Sequence, residues 1–381
     1  MDPRVNLKAL SFAELDEFVR ALGWPRYRSR QISDWLYQKG ARSIDAMSNL
    51  SKADRVELSA RATIGTATIA TRQRSIDGTA KILFTLEDGQ KVETVLIPDR
   101  GGSAGGDETD PEPPERGPLP NAAPGCERSP VTDDRLTLCL SSQVGCTLDC
   151  GFCLTGTMGL VRNLRAHEIV EQVLGARATI DRPVTNIVFM GMGEPLANYR
   201  EVVEAIRRLI DRRGLGFSPR RITVSTSGLV PQIERLAAEG LGVNLAISLN
   251  ATTDAVRDRI MPLANRAYPL ARLLAACRAF PLAPRRRLFI EYVLLAGVND
   301  SVEDAHRLVR LLRGMRCKIN LIPFNAYPGS PFVRPADDQI ERFQAALVDA
   351  GLFAFIRKSR GRDILAACGQ LRTEFVVLSA P

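Results

Sequence analysis

The stretch "NIVFMGMGEPLANYREVVEAIRRLI", residues 186–210, predicts a β-strand followed by an α-helix. It begins with a continuous apolar run that ends in glycines, and apolar residues return at helical spacing from residue 199 onward. A strand that is apolar on both faces is typical of a parallel sheet covered by helices. The polar turn at residues 193–195 would then lie at the carboxyl end of this strand, where barrels of such units place their chemistry.

The same strand–helix unit repeats on either side of this stretch. Apolar runs predict strands at "LTLCLSS", "NIVFMGMG", "RITVSTSG", "VNLAISLN", "LFIEYVLL", "KINLIPFN" and "FAFIRKS". Helical periodicity lies near residues 167–180, 199–212, 230–239, 268–280, 301–313 and 337–350. This number of repeats is too large for a comfortable open sheet and falls short of an eightfold barrel. We therefore expect an α/β fold with a partial (β/α)6-type barrel over residues 135–375.

Two smaller regions precede this predicted barrel. Residues 1–62 predict a small helical domain, in which Ser11 and Glu14 form a capping box before an amphipathic helix. Residues 63–100 alternate polar and apolar side chains and carry Asp-Gly pairs at 77–78 and 88–89. Such pairs are typical of tight antiparallel turns, so we expect a β-hairpin connector.

Residues 101–134 are rich in proline and glycine and nearly lack large apolar side chains, which predicts a disordered insertion. They hold eight acidic residues against two arginines, a net charge of −6 in a chain whose overall charge is +8. We expect Cys126, within this segment, to be a solvated thiol. The basic remainder suits a polyanionic partner such as RNA, although a solvated basic surface would look the same.

The cysteines divide into a dense group and scattered members. Four of the eight lie between Cys139 and Cys153, and three of these follow a C-x3-C-x2-C spacing. A structural zinc site needs a fourth ligand nearby, whereas an iron–sulfur cluster held by three thiolates keeps one iron open. The two histidines, His167 and His306, are expected on helix surfaces. We expect Cys277 and Cys317 to be core residues.

Several motifs in order along the chain carry a family resemblance. "CTLDCGFC" resembles the cysteine signature of radical S-adenosylmethionine (SAM) enzymes. Nearly the whole chain resembles the RlmN-type dual-specificity RNA methyltransferases through "LGWPRYRSRQISDWLYQKG", "KVETVLIP", "MGMGEPLANY", "STSG", "AISLN", "LIPFNAYPG" and "RGRDILAACGQL". The resemblance implies one [4Fe-4S] cluster on Cys146, Cys150 and Cys153, whose open iron binds SAM and cleaves it to a 5′-deoxyadenosyl radical.

The resemblance also implies roles for residues outside the cysteine signature. SAM contacts are implied for Gly193, Glu194, Ser225, Ser248, Leu249, Asn250 and Asn325, with Asn250 standing where many relatives have histidine. Cys368 would accept a methyl group from one SAM and, after a second SAM is cleaved, bond covalently to C2 of an adenine. Cys139 would release this adduct by forming a transient disulfide with Cys368. Either Glu93 or Cys139 would remove the C2 proton.

The implied substrates are 23S rRNA, in the peptidyl-transferase region, and the adenosine 3′ to the anticodon in some tRNAs. The chain would be a cytoplasmic monomer without membrane contact, supplied with electrons by a donor such as flavodoxin or ferredoxin. Phosphate-binding clusters are expected at residues 26–30, 220–221, 285–287 and 357–362. Two alternatives are a Cfr-type methyltransferase acting at adenine C8, against which the Gly-Glu-Pro turn argues, and a non-catalytic RNA-binding protein with zinc on Cys139, Cys146, Cys150 and Cys153.

Overall fold

The computed structural model describes residues 4–98 and 135–373. Its strands are β1 Val5–Asn6, β2 Ala62–Thr63, β3 Thr68–Arg74, β4 Ala80–Thr85, β5 Lys91–Pro98, β6 Leu136–Cys139, β7 Gln143–Gly145, β8 Leu160–Asn163, β9 Asn186–Phe189, β10 Ile222–Thr226, β11 Asn244–Ser248, β12 Leu288–Leu294, β13 Cys317–Pro323 and β14 Ala354–Ile356. Its α-helices are α1 Phe12–Ala21, α2 Tyr27–Ser33, α3 Lys52–Arg61, α4 Ala166–Arg177, α5 Tyr199–Ile210, α6 Val230–Ala238, α7 Asp254–Ile260, α8 Pro262–Ala267, α9 Leu270–Ala279, α10 Val302–Leu312 and α11 Asp337–Asp349.

A ten-stranded sheet with the order β14-β13-β12-β11-β10-β9-β6-β5-β4-β3 forms the centre of the molecule. Strand β6 and strands β9 to β14 pair in parallel, and helices connect them. The partial barrel predicted from the sequence is confirmed, with all seven expected strands and six expected helices in place. The short helices α7 and α8 were not predicted, because residues 251–267 are polar and contain a proline at the junction.

The predicted hairpins form as expected, but they extend the central sheet instead of standing apart. Strands β3, β4 and β5 pair antiparallel with one another, and β5 pairs antiparallel with β6. In this last pairing Val95 lies opposite Cys139 and Pro98 lies opposite Leu136. The connector therefore extends the sheet of the barrel, and Pro98 and Leu136, which flank the undescribed segment, lie on adjacent strands. The insertion itself, with Cys126, lies outside the described residues.

The N-terminal helices are anchored to the barrel by buried polar contacts. Helix α1 begins with the predicted capping box, in which the Glu14 N–H donates to Ser11 Oγ at 3.2 Å. Lys8 forms an ion pair with Glu171 of α4, and both side chains are 4% exposed. The Arg208 guanidinium of α5 donates to the Lys8 carbonyl at 2.5 Å. Because a buried ion pair needs fixed partners, these contacts hold the helical unit in a defined position.

One histidine prediction is wrong. His167 is 6% exposed, because α4 is covered by the central sheet on one side and by the N-terminal segment on another. Burial lowers the pKa of His167 to about 4. The other histidine, His306, is exposed as predicted, and Cys277 and Cys317 are buried in the core. Within residues 4–98 and 135–373, the helices are too short or too polar to cross a membrane.

Candidate active site

A pocket opens at the carboxyl ends of the parallel strands. Its walls bring together most of the predicted site residues, namely Cys146, Cys150, Cys153, Gly193, Glu194, Ser225, Ser248, Asn250, Asn325 and Cys368. Three other predicted residues, Glu93, Cys139 and Leu249, do not line these walls. Leu249 is fully buried beneath the pocket, where its carbonyl accepts a hydrogen bond from the Arg257 Nε at 3.2 Å.

The three clustered cysteines lie on a tight loop after β7. The Cys146 N–H donates to the Gly159 carbonyl at 2.9 Å, and the Cys153 N–H donates to the Cys150 carbonyl at 3.0 Å. A Cβ at Gly156 would lie 2.9 Å from the Cys150 carbonyl oxygen, so the loop closes only around glycine. Burial raises the pKa of all three thiols, that of Cys146 to about 12. A positively charged centre would therefore be needed to stabilise them as thiolates.

The donor set of the pocket fits an iron–sulfur cluster and a polar cofactor. Cys146, Cys150 and Cys153 all line its walls, and cysteine thiolates are the ligands of such clusters. Ser227 Oγ and Asn325 Oδ1 are buried at this pocket without a hydrogen-bond partner. A bound polar molecule such as SAM would satisfy both atoms.

The Gly-Glu-Pro turn after β9 presents a fixed carboxylate. Gly193 has a φ of +97°, and a Cβ there would lie 2.5 Å from the Cβ of Gln143. The Glu194 carboxylate accepts hydrogen bonds from the Ser227 N–H at 2.8 Å and the Leu196 N–H at 3.0 Å. Burial raises the pKa of Glu194, and these hydrogen bonds oppose the shift. The remaining acceptor sites of the carboxylate are suited to an ammonium group.

Gln143 is a positioning residue that no sequence motif indicated. Its Oε1 accepts from the Glu194 N–H at 2.9 Å and from the Thr147 N–H at 3.2 Å. Its Nε2 donates to Thr147 Oγ1 at 2.7 Å. One side chain therefore joins the cysteine loop to the Gly-Glu-Pro turn. A glutamine in a three-residue strand carries no recognisable pattern, and only the folded contacts identify it.

Asn250 lies in the left-handed region with a φ of +57°. Its Oδ1 accepts from the Val293 N–H at 2.8 Å, and its carbonyl accepts from the Asn299 Nδ2 at 2.7 Å. Asparagine and histidine are both enriched among residues with positive φ. The backbone geometry therefore gives a physical reason for restricting this position to a few residue types.

The loop that carries Cys368 is seated against the cysteine loop. The Leu154 N–H donates to the Gly369 carbonyl at 2.7 Å, and Thr155 Oγ1 donates to the Leu371 carbonyl at 2.6 Å. Asn325 Nδ2 donates to the Cys368 carbonyl at 3.2 Å. These contacts fix the loop backbone while the Cys368 side chain stays exposed at the pocket mouth.

Glu93 and Cys139 lie on the same face of neighbouring strands. Val95 is paired with Cys139, and residues two apart on a strand share a face, so Glu93 is the diagonal neighbour of Cys139. The Glu93 carboxylate accepts from the Arg372 N–H at 2.9 Å and pairs with Lys81 Nζ at 3.0 Å. The sheet thus places Glu93 at the end of the Cys368 loop and Cys139 on the same face of the neighbouring strand.

The predicted disulfide is not present in this structure. The cysteines that it describes are all thiols, Cys139 buried in β6 and Cys368 exposed on its loop. The expected bond was a transient one, formed only during release of a covalent adduct.

Comparison with known proteins identifies relatives over nearly the full length. The model of the Radical SAM superfamily matches residues 140–309, and that of the ribosomal RNA large subunit methyltransferase N-terminal domain matches residues 5–64. The "Dual-specificity RNA methyltransferase RlmN" of Geobacter sulfurreducens is 51% identical over 372 residues, covering 98% of this chain and 93% of the relative. The protein of that name from an Anaeromyxobacter species is 50% identical and covers 98% and 92%. A solved radical SAM methyltransferase from Sphaerobacter thermophilus superimposes with a TM-score of 0.83 at 45% identity, covering 97% of this chain and 100% of that chain.

Proposed function

The chain belongs to the RlmN family of dual-specificity RNA methyltransferases, and from this premise we propose that it methylates adenine at C2. The substrates of this proposal are one adenosine in the peptidyl-transferase region of 23S rRNA and the adenosine 3′ to the anticodon in some tRNAs. The observation that carries it is the single pocket that combines the three cysteines, Glu194 and the Cys368 loop.

Family membership makes the chain a SAM-dependent radical SAM RNA methyltransferase, so the alternative of a non-catalytic zinc protein is wrong. Cys139, the fourth ligand of that alternative, lies on β6 and does not line the pocket. The second alternative was methylation at adenine C8. The resemblance of the Gly-Glu-Pro turn at residues 193–195 to the C2-specific enzymes supports C2.

We propose that Cys146, Cys150 and Cys153 hold one [4Fe-4S] cluster with an open iron. Contacts to SAM are proposed for Gly193, Glu194, Ser225, Ser248, Asn250 and Asn325. Leu249 is not proposed as a contact, because it does not line the pocket and its N–H and carbonyl are both hydrogen-bonded within the protein. When bound, the cluster and two SAM molecules per turnover would supply the methyl group and the 5′-deoxyadenosyl radical that activates it. Glu194 is oriented to bind the ammonium group of SAM, since two backbone N–H groups fix its carboxylate.

Cys368 would serve as the methyl carrier. Adenine C2 is an electron-poor carbon without a nucleophilic lone pair, so direct polar transfer of a methyl cation has no route. A methyl group on the Cys368 sulfur, once activated, would instead form a carbon–carbon bond to C2. The exposed position of Cys368 at the pocket mouth supports this role, because a base can approach it from outside.

Release of the adduct would require a base and a second thiol. Once the adduct has given up its unpaired electron to a one-electron acceptor, Glu93 would accept the C2 proton. Cys139 would then attack the Cys368 sulfur, so that a disulfide forms, and the electron pair of the broken sulfur–carbon bond takes up a proton to leave a methyl group on C2. The same-face positions of Glu93 and Cys139, and the hydrogen bond from the Arg372 N–H to Glu93, support these roles. A thiolate of Cys139 could remove the proton in place of Glu93.

The test is replacement of the proposed second thiol. With Cys139→Ala, we expect RNA to accumulate covalently bound through Cys368, detected as a cross-linked peptide by mass spectrometry. Cys317→Ala is the matched control, because Cys317 is equally buried but lies in the core on β13. An absence of adduct in the Cys139 variant would refute its role. Identification of the methyladenosine isomer in the wild-type product separates C2 from C8.

A further inference from the structure

Lys81 makes a contact that the proposed reaction has not used. It lies on β4 opposite Val95, on the same face as Glu93, and its Nζ is 3.0 Å from the Glu93 carboxylate. The two side chains are 12% and 6% exposed, so water screens this ion pair little. The Lys81 Nζ also donates to the Leu365 carbonyl at 3.4 Å. One ammonium group thus contacts both the proposed base and the segment that leads to Cys368.

The pair of Lys81 and Glu93 touches both ends of the Cys368 loop. Lys81 contacts Leu365 at its start, and Glu93 accepts from the Arg372 N–H at its end. Leu365 has a φ of +50°, a conformation that is strained for a non-glycine residue. A loop that begins with such a residue needs external contacts to hold it, and the ammonium group supplies one.

We propose that Lys81 is a positioning residue for RNA methylation, which holds the Glu93 carboxylate in place and seats the Cys368 loop against it. The inference rests on the proposed function, in which Glu93 accepts the C2 proton. In that step the C2–H bond breaks, its electron pair stays on the adenine ring, and the proton passes to the Glu93 carboxylate. Only an ionised carboxylate can accept it.

The surroundings of Glu93 explain why the ammonium group is needed. Burial raises the pKa of Glu93, and the charge and hydrogen bond of Lys81 lower it. The other groups facing the carboxylate are the Arg372 N–H from the C-terminal loop and the Cys139 thiol on β6. Within the described residues, Lys81 is the charged side chain that pairs with Glu93. Its removal would therefore raise the pKa further and leave more of the base protonated at neutral pH.

The experiment compares Lys81→Met with Lys81→Arg. The rate of C2 proton loss is measured in single turnovers on RNA labelled at C2, over a range of pH. We expect the methionine variant to be slow at neutral pH and to recover at alkaline pH, because the acid limb of its pH–rate profile shifts to higher pH. The arginine variant keeps the charge and should keep the wild-type pH profile. A wild-type profile in the methionine variant would overturn the inference.

Glu93→Gln separates this inference from the proposed function. If that variant loses C2 protons at the wild-type rate, the proposed role of Glu93 fails. If it is slow while Lys81→Met keeps the wild-type profile, only the inference about Lys81 fails.

The double variant Lys81→Met, Glu93→Gln guards against misfolding, since it leaves no buried charge without its partner. In the Glu93→Gln background, adding Lys81→Met should not change the pH dependence of the residual rate, because no carboxylate is left for the ammonium group to keep ionised. A shift of that pH dependence would show that Lys81 acts on a base other than Glu93 and would overturn the inference. Hydrogen exchange over residues 365–372 gives a second readout, which should accelerate in Lys81→Met and not in Lys81→Arg.

Discussion

The carboxylate of Glu194 is oriented before any ligand binds. Two backbone N–H groups hold it, and its own N–H is held by Gln143. The carboxylate is therefore held in position before SAM binds, and little free energy is lost in ordering the Glu194 side chain on binding. The glycine that precedes it is required by the close approach to Gln143. Each residue of the turn therefore has a separate physical task.

Glu194→Gln should weaken SAM binding while preserving the fold. The amide keeps one acceptor for the backbone N–H groups but loses the charge that pairs with an ammonium group. A hydrogen bond to a charged group contributes about 1.5–3 kcal/mol, which predicts an affinity roughly 10 to 150 times weaker. Equilibrium dialysis of the cluster-loaded protein with labelled SAM measures this affinity. The exposed Glu341→Gln on α11 is the control, and equal affinities in the two variants would contradict the assignment.

Asn250 provides a stability prediction at the same scale. Asn250→Ala removes the acceptor of the Val293 N–H and places an alanine at a φ of +57°. Leaving a buried N–H without a partner costs about 1–3 kcal/mol, and we expect a loss of unfolding free energy of that order. Asn250→His should lose less, because histidine tolerates this backbone and its ring nitrogen can accept the hydrogen bond. Urea unfolding measures the unfolding free energy of both variants. Equal losses in the two would contradict the role of the Asn250 side chain as acceptor for the Val293 N–H.

At the scale of elements, the parallel strands could be predicted and the hairpin strands could be only partly predicted. Each barrel strand is a continuous apolar run, and such a run is typical of a parallel strand that is buried on both faces. The Asp-Gly turns predicted the hairpins, but nothing local specifies that β5 pairs with β6. That pairing is decided by the tertiary structure, and it places Glu93 beside Cys139. Helices α7 and α8 were not predicted, because both helices are short and contain many polar residues.

The turn between β3 and β4 fixes the segment that precedes Cys368. Asp77 Oδ2 accepts from the Gly361 N–H at 2.8 Å, and Ser75 Oγ donates to Asp363 at 2.6 Å. Burial would raise the pKa of Asp77, but hydrogen bonds from Thr79 and Gly361 lower it below the usual 3.8. A carboxyl with a lowered pKa stabilises the fold above its unfolded pKa. That stabilisation is lost as the pH falls below 3.8.

We therefore expect Asp77→Ala to loosen this segment at all pH values. In the wild-type protein, hydrogen exchange of the Gly361 amide should accelerate only in acid, whereas in the variant it should be fast at neutral pH as well. Methylation should slow in parallel, because Cys368 follows the loosened segment. Asp88→Ala, in the other hairpin turn of the same sheet, is the control. If both variants exchange Gly361 at the wild-type rate, the turn does not hold the segment.

At the scale of the whole molecule, the site combines residues as far apart in sequence as Lys81 and Arg372. The cysteines and Cys368 could be predicted because they stand in recognisable motifs. Gln143 and Lys81 could not, because a glutamine in a short strand and a lysine in a hairpin look like ordinary solvated residues. Their roles arise only when strands distant in sequence become neighbours. Motifs thus identify the reacting groups, and the folded structure identifies the groups that orient them.

The pairing of Pro98 with Leu136 makes residues 101–134 removable. Deletion would leave residues 99, 100 and 135 as a three-residue connection, which is a common length for an antiparallel hairpin. We expect the deletion variant to keep its melting temperature and its methylation activity, and an inactive variant would contradict this.

Because the segment carries a net charge of −6, its loss should also tighten RNA binding at low salt. A neutral Gly/Ser segment of equal length is the control, since it restores length without charge. RNA affinity is measured for each variant at low and at high salt. If the charge of the segment weakens RNA binding, affinity should rise in both variants. If its bulk weakens binding, affinity should rise only in the deletion variant.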